Sequence, residues 1–215
     1  MKIAAIYKKL LKHFGKRNWW PTVSDNPKFE IILGVILTQQ TTWKNVEKAI
    51  KNLQKKNLLD PVKLAGLDKR ILWNLVKCSG YYKQKSDRII EFSRYIVKNY
   101  DGDVNRFLSS VDREELLSLK GFGKESADSI LLYAADQLIF PIDAYTFRLA
   151  ERIGIGKKGY DELQEFFHKE LDNNLELYKE LHALIVELGK NYCKKKPICK
   201  ECPLSNRLCL KSVKS

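Results

Sequence analysis

Four thiols crowd into one segment near the C-terminal end, Cys193-x5-Cys199-x2-Cys202-x6-Cys209. A reducing compartment keeps such thiols from pairing as disulfides, so the segment reads as a metal-binding loop. The fifth cysteine, Cys78, lies alone in an apolar helical run and reads as a small buried residue. Asp143 stands where a helix N-cap belongs, just before the apolar-periodic run that starts at Ala144. Capping is its plainest role, because Asp is a preferred N-cap. The same N–H groups would hold the carboxylate ionised. An ionised carboxylate beside a sugar can stabilise an oxocarbenium-like transition state or activate water. A third feature is Leu119-Lys120-Gly121-Phe122-Gly123-Lys124, flanked by helical patterns. Its two glycines permit a tight turn with unusual φ values. Turn N–H groups and the start of the following helix can cradle a phosphate. Gly-x-Gly alone also fits an ordinary helical turn. The net charge of +13 selects a polyanionic partner, with DNA ahead of an acidic membrane surface.

The elements that must position these residues are helical almost throughout. Apolar residues recur three or four apart in 28–38, 43–56, 69–77, 84–99, 112–118, 124–136, 144–153, 160–171 and 175–192. Ile3, Ile6, Tyr7, Leu10, Leu11 and Phe14 predict a further amphipathic helix at the start of the chain. Asp112, with Glu115 three residues on, predicts a capping box before the Gly-x-Gly turn. Breaks fall at Asp60-Pro61, Ser79-Gly80, Asp101-Gly102, Gly121, Gly123, Pro141, Gly154 and Gly156. No alternating strand pattern appears, so the expected fold class is all-α. Composition alone shows no domain boundary. With 44% hydrophobic residues the chain can bury a core, which excludes a disordered polyelectrolyte. No apolar run is long enough to span a bilayer, and the N-terminus is too polar for a signal peptide. The expected location is cytoplasmic and nucleoid-associated.

Leu119-Lys120-Gly121-Phe122-Gly123-Lys124-Glu125-Ser126-Ala127, followed by Ile142-Asp143-Ala144-Tyr145-Thr146-Phe147-Arg148, resembles the signature of the endonuclease III superfamily of helix-hairpin-helix DNA glycosylases. The resemblance runs from about residue 28 to residue 209. It implies two helical domains with the active site in the cleft between them. One is a six-helix domain at 28–137, with its helix-hairpin-helix at about 112–136. The other is 1–27 plus 138–215, with an iron–sulfur loop at 193–209. It implies that Lys120, Gly121, Gly123 and Lys124 lie at the DNA backbone and that Asp143 is essential for base excision. It also implies a 4Fe-4S cluster on Cys193, Cys199, Cys202 and Cys209. The family's loop has six, two and five intervening residues where this chain has five, two and six, and zinc is the alternative. The basic residues of this loop, Lys194, Lys195, Lys196, Lys200 and Arg207, suit phosphate contact.

One departure bears on mechanism. Bifunctional members carry a lysine where this chain has Glu125. A carboxylate cannot form the Schiff base that strand cleavage needs. Lys124 is rotated from that position by about 100° on the helix. A monofunctional glycosylase that uses water is therefore expected. The alternatives are a glycosylase with lyase activity and a non-catalytic DNA-binding module. Gln40 and Tyr81 align with the family's two wedge positions, and Trp20 and Trp43 with pocket aromatics. Trp19 competes with Trp20 for that role. Trp19-Trp20-Pro21, Leu37-Thr38-Gln39-Gln40-Thr41 and Gly123-Lys124-Glu125-Ser126-Ala127-Asp128 resemble the 3-methyladenine glycosylase III branch. Glu125, Asp143 and Tyr145 together resemble an archaeal uracil-DNA glycosylase. Uracil is the favoured base, alkylated purine the second, with Gln39 as another candidate for the base edge. The expected partner is damaged DNA, double- or single-stranded, bound by a monomer and with no membrane involved.

Overall fold

The computed structural model describes residues 2–156, 158–205 and 208–210; Arg207, expected among the basic residues of the cysteine loop, lies outside them. Among the described residues there are helices and turns and no strand. In chain order the α-helices are α1 Lys2–Phe14, α2 Pro27–Thr38, α3 Trp43–Lys55, α4 Pro61–Ala65, α5 Lys69–Val76, α6 Tyr82–Tyr100, α7 Val104–Ser110, α8 Arg113–Ser118, α9 Lys124–Tyr133, α10 Ala144–Arg152, α11 Tyr160–Glu170 and α12 Leu175–Asn191. The chain divides into two compact units, Trp20–Asp136 and Met1–Trp19 with Gln137–Ser215.

The continuous unit is built on α2. Every residue of α2 from Phe29 to Leu37 is buried, and it packs on α3, α6, α7 and α9. A helix apolar on all sides belongs in the centre of a core. Its one buried carboxylate, Glu30, accepts from the Val23 and Ser24 N–H groups at 2.9–3.1 Å. Gln54 Nε2 also donates to Val23 O at 2.6 Å. These bonds fasten residues 20–26 to this unit, so the division falls at Trp20 and not at the expected residue 28.

The unit holds α2–α9, two helices more than expected. The additions, α4 and α7, are too short to show a period. Asp60 and Asp103 each cap one through side-chain bonds to two backbone N–H groups. Asp60-Pro61 thus opens a helix, with Pro at its first position, where no N–H is needed.

The turn joining α8 and α9 is held from behind. Asp112 caps α8 by accepting from Glu115 N at 2.8 Å. Glu115 does not complete the expected capping box. Its carboxylate accepts instead from the Tyr95 and Tyr100 hydroxyls at 2.5 and 2.6 Å. Arg113 and Asp128 clip the two helices together through Nε–Oδ1 at 2.7 Å and a second N–H to Oδ2 at 3.1 Å.

In the other unit, α1 packs on α11 and α12, and α10 packs on α12. Ile3, Ile6 and Leu10 of α1 are buried, as the amphipathic pattern predicts. Buried Glu180 of α12 accepts from the Arg17 and Asn18 N–H groups, which fixes the chain just after α1. Phe140 and Phe167 stack with centroids 4.6 Å apart and planes 3° apart.

Asp128 is fully buried, so losing the Arg113 guanidinium removes a cation that offsets its burial. Arg113→Met is expected to cost about 3 kcal/mol, the low end for a broken buried pair because Arg113 keeps some solvent access. Urea unfolding checks this, and a second change, Asp128→Leu, should recover much of the loss.

Candidate functional site

The segment before Asp143 is irregular and buried, so its backbone needs partners. Helix α11 supplies them. His168 Nε2 accepts from Phe140 N at 2.9 Å, Gln164 Nε2 donates to Phe140 O at 2.9 Å, and the Tyr160 hydroxyl accepts from Ile142 N at 3.1 Å. This cradle delivers Asp143 to the start of α10 as its N-cap. Asp143 Oδ1 accepts from both Thr146 N, at 2.7 Å, and Thr146 Oγ1, at 2.8 Å. The capping function is thus carried by one oxygen. The other, Oδ2, faces His182 Nε2 of α12 at 3.9 Å. Burial pushes the His182 pKa below its ordinary value and outweighs the upward pull of Asp143. The imidazole is neutral at neutral pH, so it offers Asp143 no positive charge.

Tyr145 lies two residues on. Its ring lies so close on Gly189 of α12 that a Cβ there would collide with it. The Arg148 guanidinium sits 5.1 Å from the ring centroid. Arg148 Nε donates to Cys193 O at 2.6 Å, and Arg152 donates to Cys193 Sγ at 2.9 Å and Lys195 O at 3.2 Å. One helix therefore carries Asp143 at its cap and grips the first cysteine with two arginines further along.

The cysteine segment turns back on itself through Ile198 N to Tyr192 O, at 2.9 Å, and Cys202 N to Cys199 O, at 3.2 Å. Burial pushes the Cys202 thiol pKa up, the backbone at Leu204 opposes this, and Cys193, Cys209 and Cys199 add to it. No three acidic, cysteine or histidine side chains are arranged as a metal site among the described residues. The donor set, four thiols whose charges act on Cys202, has the soft-ligand chemistry of an iron–sulfur or zinc centre.

The remaining candidates fall in the continuous unit. Gly121 has φ 92°, and its lack of a side chain makes room for Arg88. Gly123 does not share that conformation: its backbone is extended, at φ −101°, ψ 177°, and a Cβ there would meet nothing. Only one of the two glycines is needed for backbone reasons; the other leaves an open approach at the start of α9. Lys120, Lys124 and Glu125 are exposed on this edge, with Lys120 3.8 Å from Glu91. Gln40 and Tyr81 are both exposed, and both hold the left-handed conformation that side chains disfavour, at φ 54° and 47°. Such strain is typical of functional loops.

Trp20 seats on Gly34, where a Cβ would come within 2.8 Å of its ring. It meets Trp43 edge to face at 5.3 Å and Tyr133 at 5.5 Å. Trp19 belongs to the other unit, with Lys190 5.9 Å from its ring. The structure therefore joins Trp20, not Trp19, with Trp43. It adds Tyr133, which sequence reasoning missed although it lies three residues after buried Ile130 on α9. Gln39 is not available to read a base edge. Its amide is bound by Arg88 on one side, and by Gly121 O and Ser126 Oγ, both at 3.2 Å, on the other. A second residue missed is Lys85, buried in the first turns of α6.

A family model described as HhH-GPD superfamily base excision DNA repair protein matches residues 33–172. A Methanocaldococcus jannaschii protein named as a candidate DNA repair glycosylase is 46% identical over 208 residues, covering 94% of this chain and 93% of its own. Endonuclease III of Thermotoga maritima is 31% identical over 206 residues, covering 95% of this chain and 91% of its own. A solved structure of H. pylori 3-methyladenine DNA glycosylase bound to 1,N6-ethenoadenine matches with a TM-score of 0.79 at 34% identity, covering 88% of this chain and 98% of that one.

The depressed His182 pKa makes stability acid-sensitive. As pH falls below 6.5, the ordinary value, the unfolded chain takes up a proton at His182 that the folded chain refuses. This contribution is complete above that pH and is lost as the solution is acidified. Comparing urea midpoints at neutral pH and at about pH 5, His182→Gln should lose less stability than wild type. Equal losses would mean that His182 charges freely in the folded state.

Proposed function

Since the chain belongs to the HhH-GPD superfamily of base excision DNA repair proteins and is a DNA glycosylase, we propose that it is monofunctional, that water is its nucleophile and that Asp143 is its catalytic carboxylate. The observation that carries this is the division of labour within Asp143. One oxygen is consumed in capping α10, while the other is left to face charge developing on a deoxyribose. As the N-glycosidic bond breaks, its electron pair leaves with the base and positive charge grows on the sugar. Asp143 stabilises that charge and takes a proton from the water whose oxygen bonds to C1′. Glu125 has no amine for a Schiff base, which supports hydrolysis without strand cleavage. Gln40 and Tyr81 fill the space of the extruded base, and the turn at Gly121–Gly123 with Lys120 and Lys124 holds the phosphates. The protein acts as a monomer on damaged duplex or single-stranded DNA.

Uracil is the base we favour. It is neutral and has a strong glycosidic bond, so its pocket needs hydrogen bonds to the base edge. Tyr145 supplies a hydroxyl on a ring that Gly189 and Arg148 hold in place. Trp20 and Trp43 meet at 84°, packed on each other instead of forming parallel walls for a base. Alkylated purine is the second reading. Both tryptophans remain partly exposed, and the H. pylori structure at 34% identity is of a 3-methyladenine DNA glycosylase.

We also assign Cys193, Cys199, Cys202 and Cys209 to a 4Fe-4S cluster, with zinc as the alternative. When bound, the cluster organises the loop around itself and takes no part in hydrolysis. Arg148 and Arg152 hold the Cys193 end of that loop.

Duplexes bearing uracil, thymine mismatches, hypoxanthine, 8-oxoguanine or methylated purines test the proposal in single turnover. Uracil release is expected, with strand breakage only after alkali and no adduct trapped by borohydride. Asp143→Asn should keep the cap and DNA affinity but lose excision. A near-wild-type rate for this variant would remove Asp143 from catalysis. Rapid 3-methyladenine release with uracil untouched would give the substrate to the second reading.

The purified protein should be yellow-brown and contain about four irons per chain. Cys202→Ser should weaken the local fold and DNA binding before it alters chemistry. A colourless protein holding one zinc would replace the cluster assignment.

A further inference from the structure

Lys85 is 1% exposed and stands among the largest fully buried side chains of the molecule. Its ammonium donates to Leu37 O at 2.8 Å and to Ser79 O at 2.7 Å. Leu37 lies three residues before Gln40, and Ser79 lies two residues before Tyr81. A single buried cation therefore ties together the two chain segments that lead into the exposed, left-handed residues.

One turn further along α6, Arg88 continues the pattern. It donates to Gln39 Oε1, and its stem covers Gly121 where any side chain would collide. Gln39 Nε2 passes the connection on to Gly121 O and Ser126 Oγ at 3.2 Å. Two cations on adjacent turns thus hold the segments around Gln40, Tyr81 and Gly121.

Lys85 is an expensive residue for this position. Desolvation, with Arg88 adding to it, pulls its pKa down to about 8, against a small opposing effect of Cys78. A cation early in a helix also opposes the helix dipole. A buried Leu or Met would avoid both costs and fill similar space. What neither supplies is a pair of N–H donors for two carbonyls that end a buried helix and a buried turn. Non-glycine residues stay left-handed only where the surroundings over-determine them, and those two bonds do so here.

We propose that Lys85, assisted by Arg88, is a positioning residue for base extrusion: it locks the Gln40 and Tyr81 segments to each other, so that both side chains enter the duplex as one preformed wedge. The inference rests on reading Gln40 and Tyr81 as the wedge. Lys85 touches neither DNA nor the reacting atoms. Its effect is on the distortion of the duplex, separate from glycosidic bond chemistry and from phosphate binding.

The test uses a duplex with a tetrahydrofuran abasic site opposite 2-aminopurine, whose fluorescence rises when a wedge unstacks it. The readout is the amplitude at saturating protein, which depends neither on the base excised nor on affinity. Gln40→Ala and Tyr81→Ala should each lose most of the rise seen with wild type. Lys85→Met should lose a comparable share while binding undamaged duplex within about twofold of wild type, since phosphate contacts lie elsewhere. Lys85→Arg, which keeps the donors, should restore much of the amplitude. A general loss of stability would instead weaken undamaged-duplex binding and fluorescence together. Should Lys85→Met not fold, Arg88→Met decides, because it frees Gln39 while leaving Lys85 in place, and its amplitude should also fall. If Gln40→Ala and Tyr81→Ala lose the signal while the folded Lys85 variant, or Arg88→Met in its stead, keeps full amplitude, the positioning role is wrong. If both alanine variants keep the signal, the wedge reading itself falls and takes the proposal with it.

Discussion

The constraint on which the continuous unit depends is that α2 is buried on every side and must still end. Its nine consecutive residues Phe29–Leu37 exclude water, so polar groups at its ends need partners from the protein. At the start, Asn26 caps Phe29 N, and Glu30 turns back to hold the N–H groups of Val23 and Ser24. At the end, Thr38 Oγ1 donates to Gly34 O, and Lys85 supplies Leu37 O. Two of these groups reach other segments: Glu30 holds the chain before α2, and Lys85 joins Leu37 O to Ser79 O. The unit's loops are ordered largely because its central helix needs what they offer. The core gives stability, and the satisfaction of its ends decides where the exposed residues stand.

The second unit applies the same economy to a carboxylate. An N-cap is a position where backbone dipoles hold a negative charge at little cost. Asp143 fills it with one oxygen. Nearby His182 is buried deeply enough to stay neutral. A protonated imidazole at that distance would form an ion pair with Asp143. Burial of the histidine thus protects the electrostatics of the carboxylate without a further charged group.

The helical elements were legible because long amphipathic runs repeat clearly. The expected 43–56, 69–77 and 144–153 fall within a residue of α3, α5 and α10 at each end. α4 and α7 escaped because their five and seven residues show no clear period, whereas α8, also short, was marked by Asp112 and Glu115. The cap at Asp143 was legible from its place before a periodic run. Polar residues whose partners are distant in sequence were not. Glu115 suggested a capping box, yet two tyrosine hydroxyls from α6 claim its carboxylate. Gln39 suggested a base contact, yet Arg88, Gly121 and Ser126 occupy its amide. Lys85 was missed as a buried residue. Its position did carry a signal, because 85, 89, 92 and 96 form one helical stripe whose other members are buried Ile89, Phe92 and Ile96. A cation in register with an apolar stripe is either an error of phase or a buried donor, and only the carbonyls it meets decide between them.

The distribution of charge follows from these separations. Exposed lysines such as Lys120 contribute a long-range attraction for polyanions that salt weakens. The cations with a fixed geometric task are the buried or half-buried ones. Lys85 and Arg88 hold loops, Arg113 clips α8 to α9, and Arg148 and Arg152 hold the chain at Cys193. Each donates to a carbonyl, amide, carboxylate or thiol at a defined distance. None needs to change partners for the protein to meet a phosphate. Attraction to DNA and the shaping of the surface that meets it are therefore assigned to different cations, and the net charge of +13 reports only on the first.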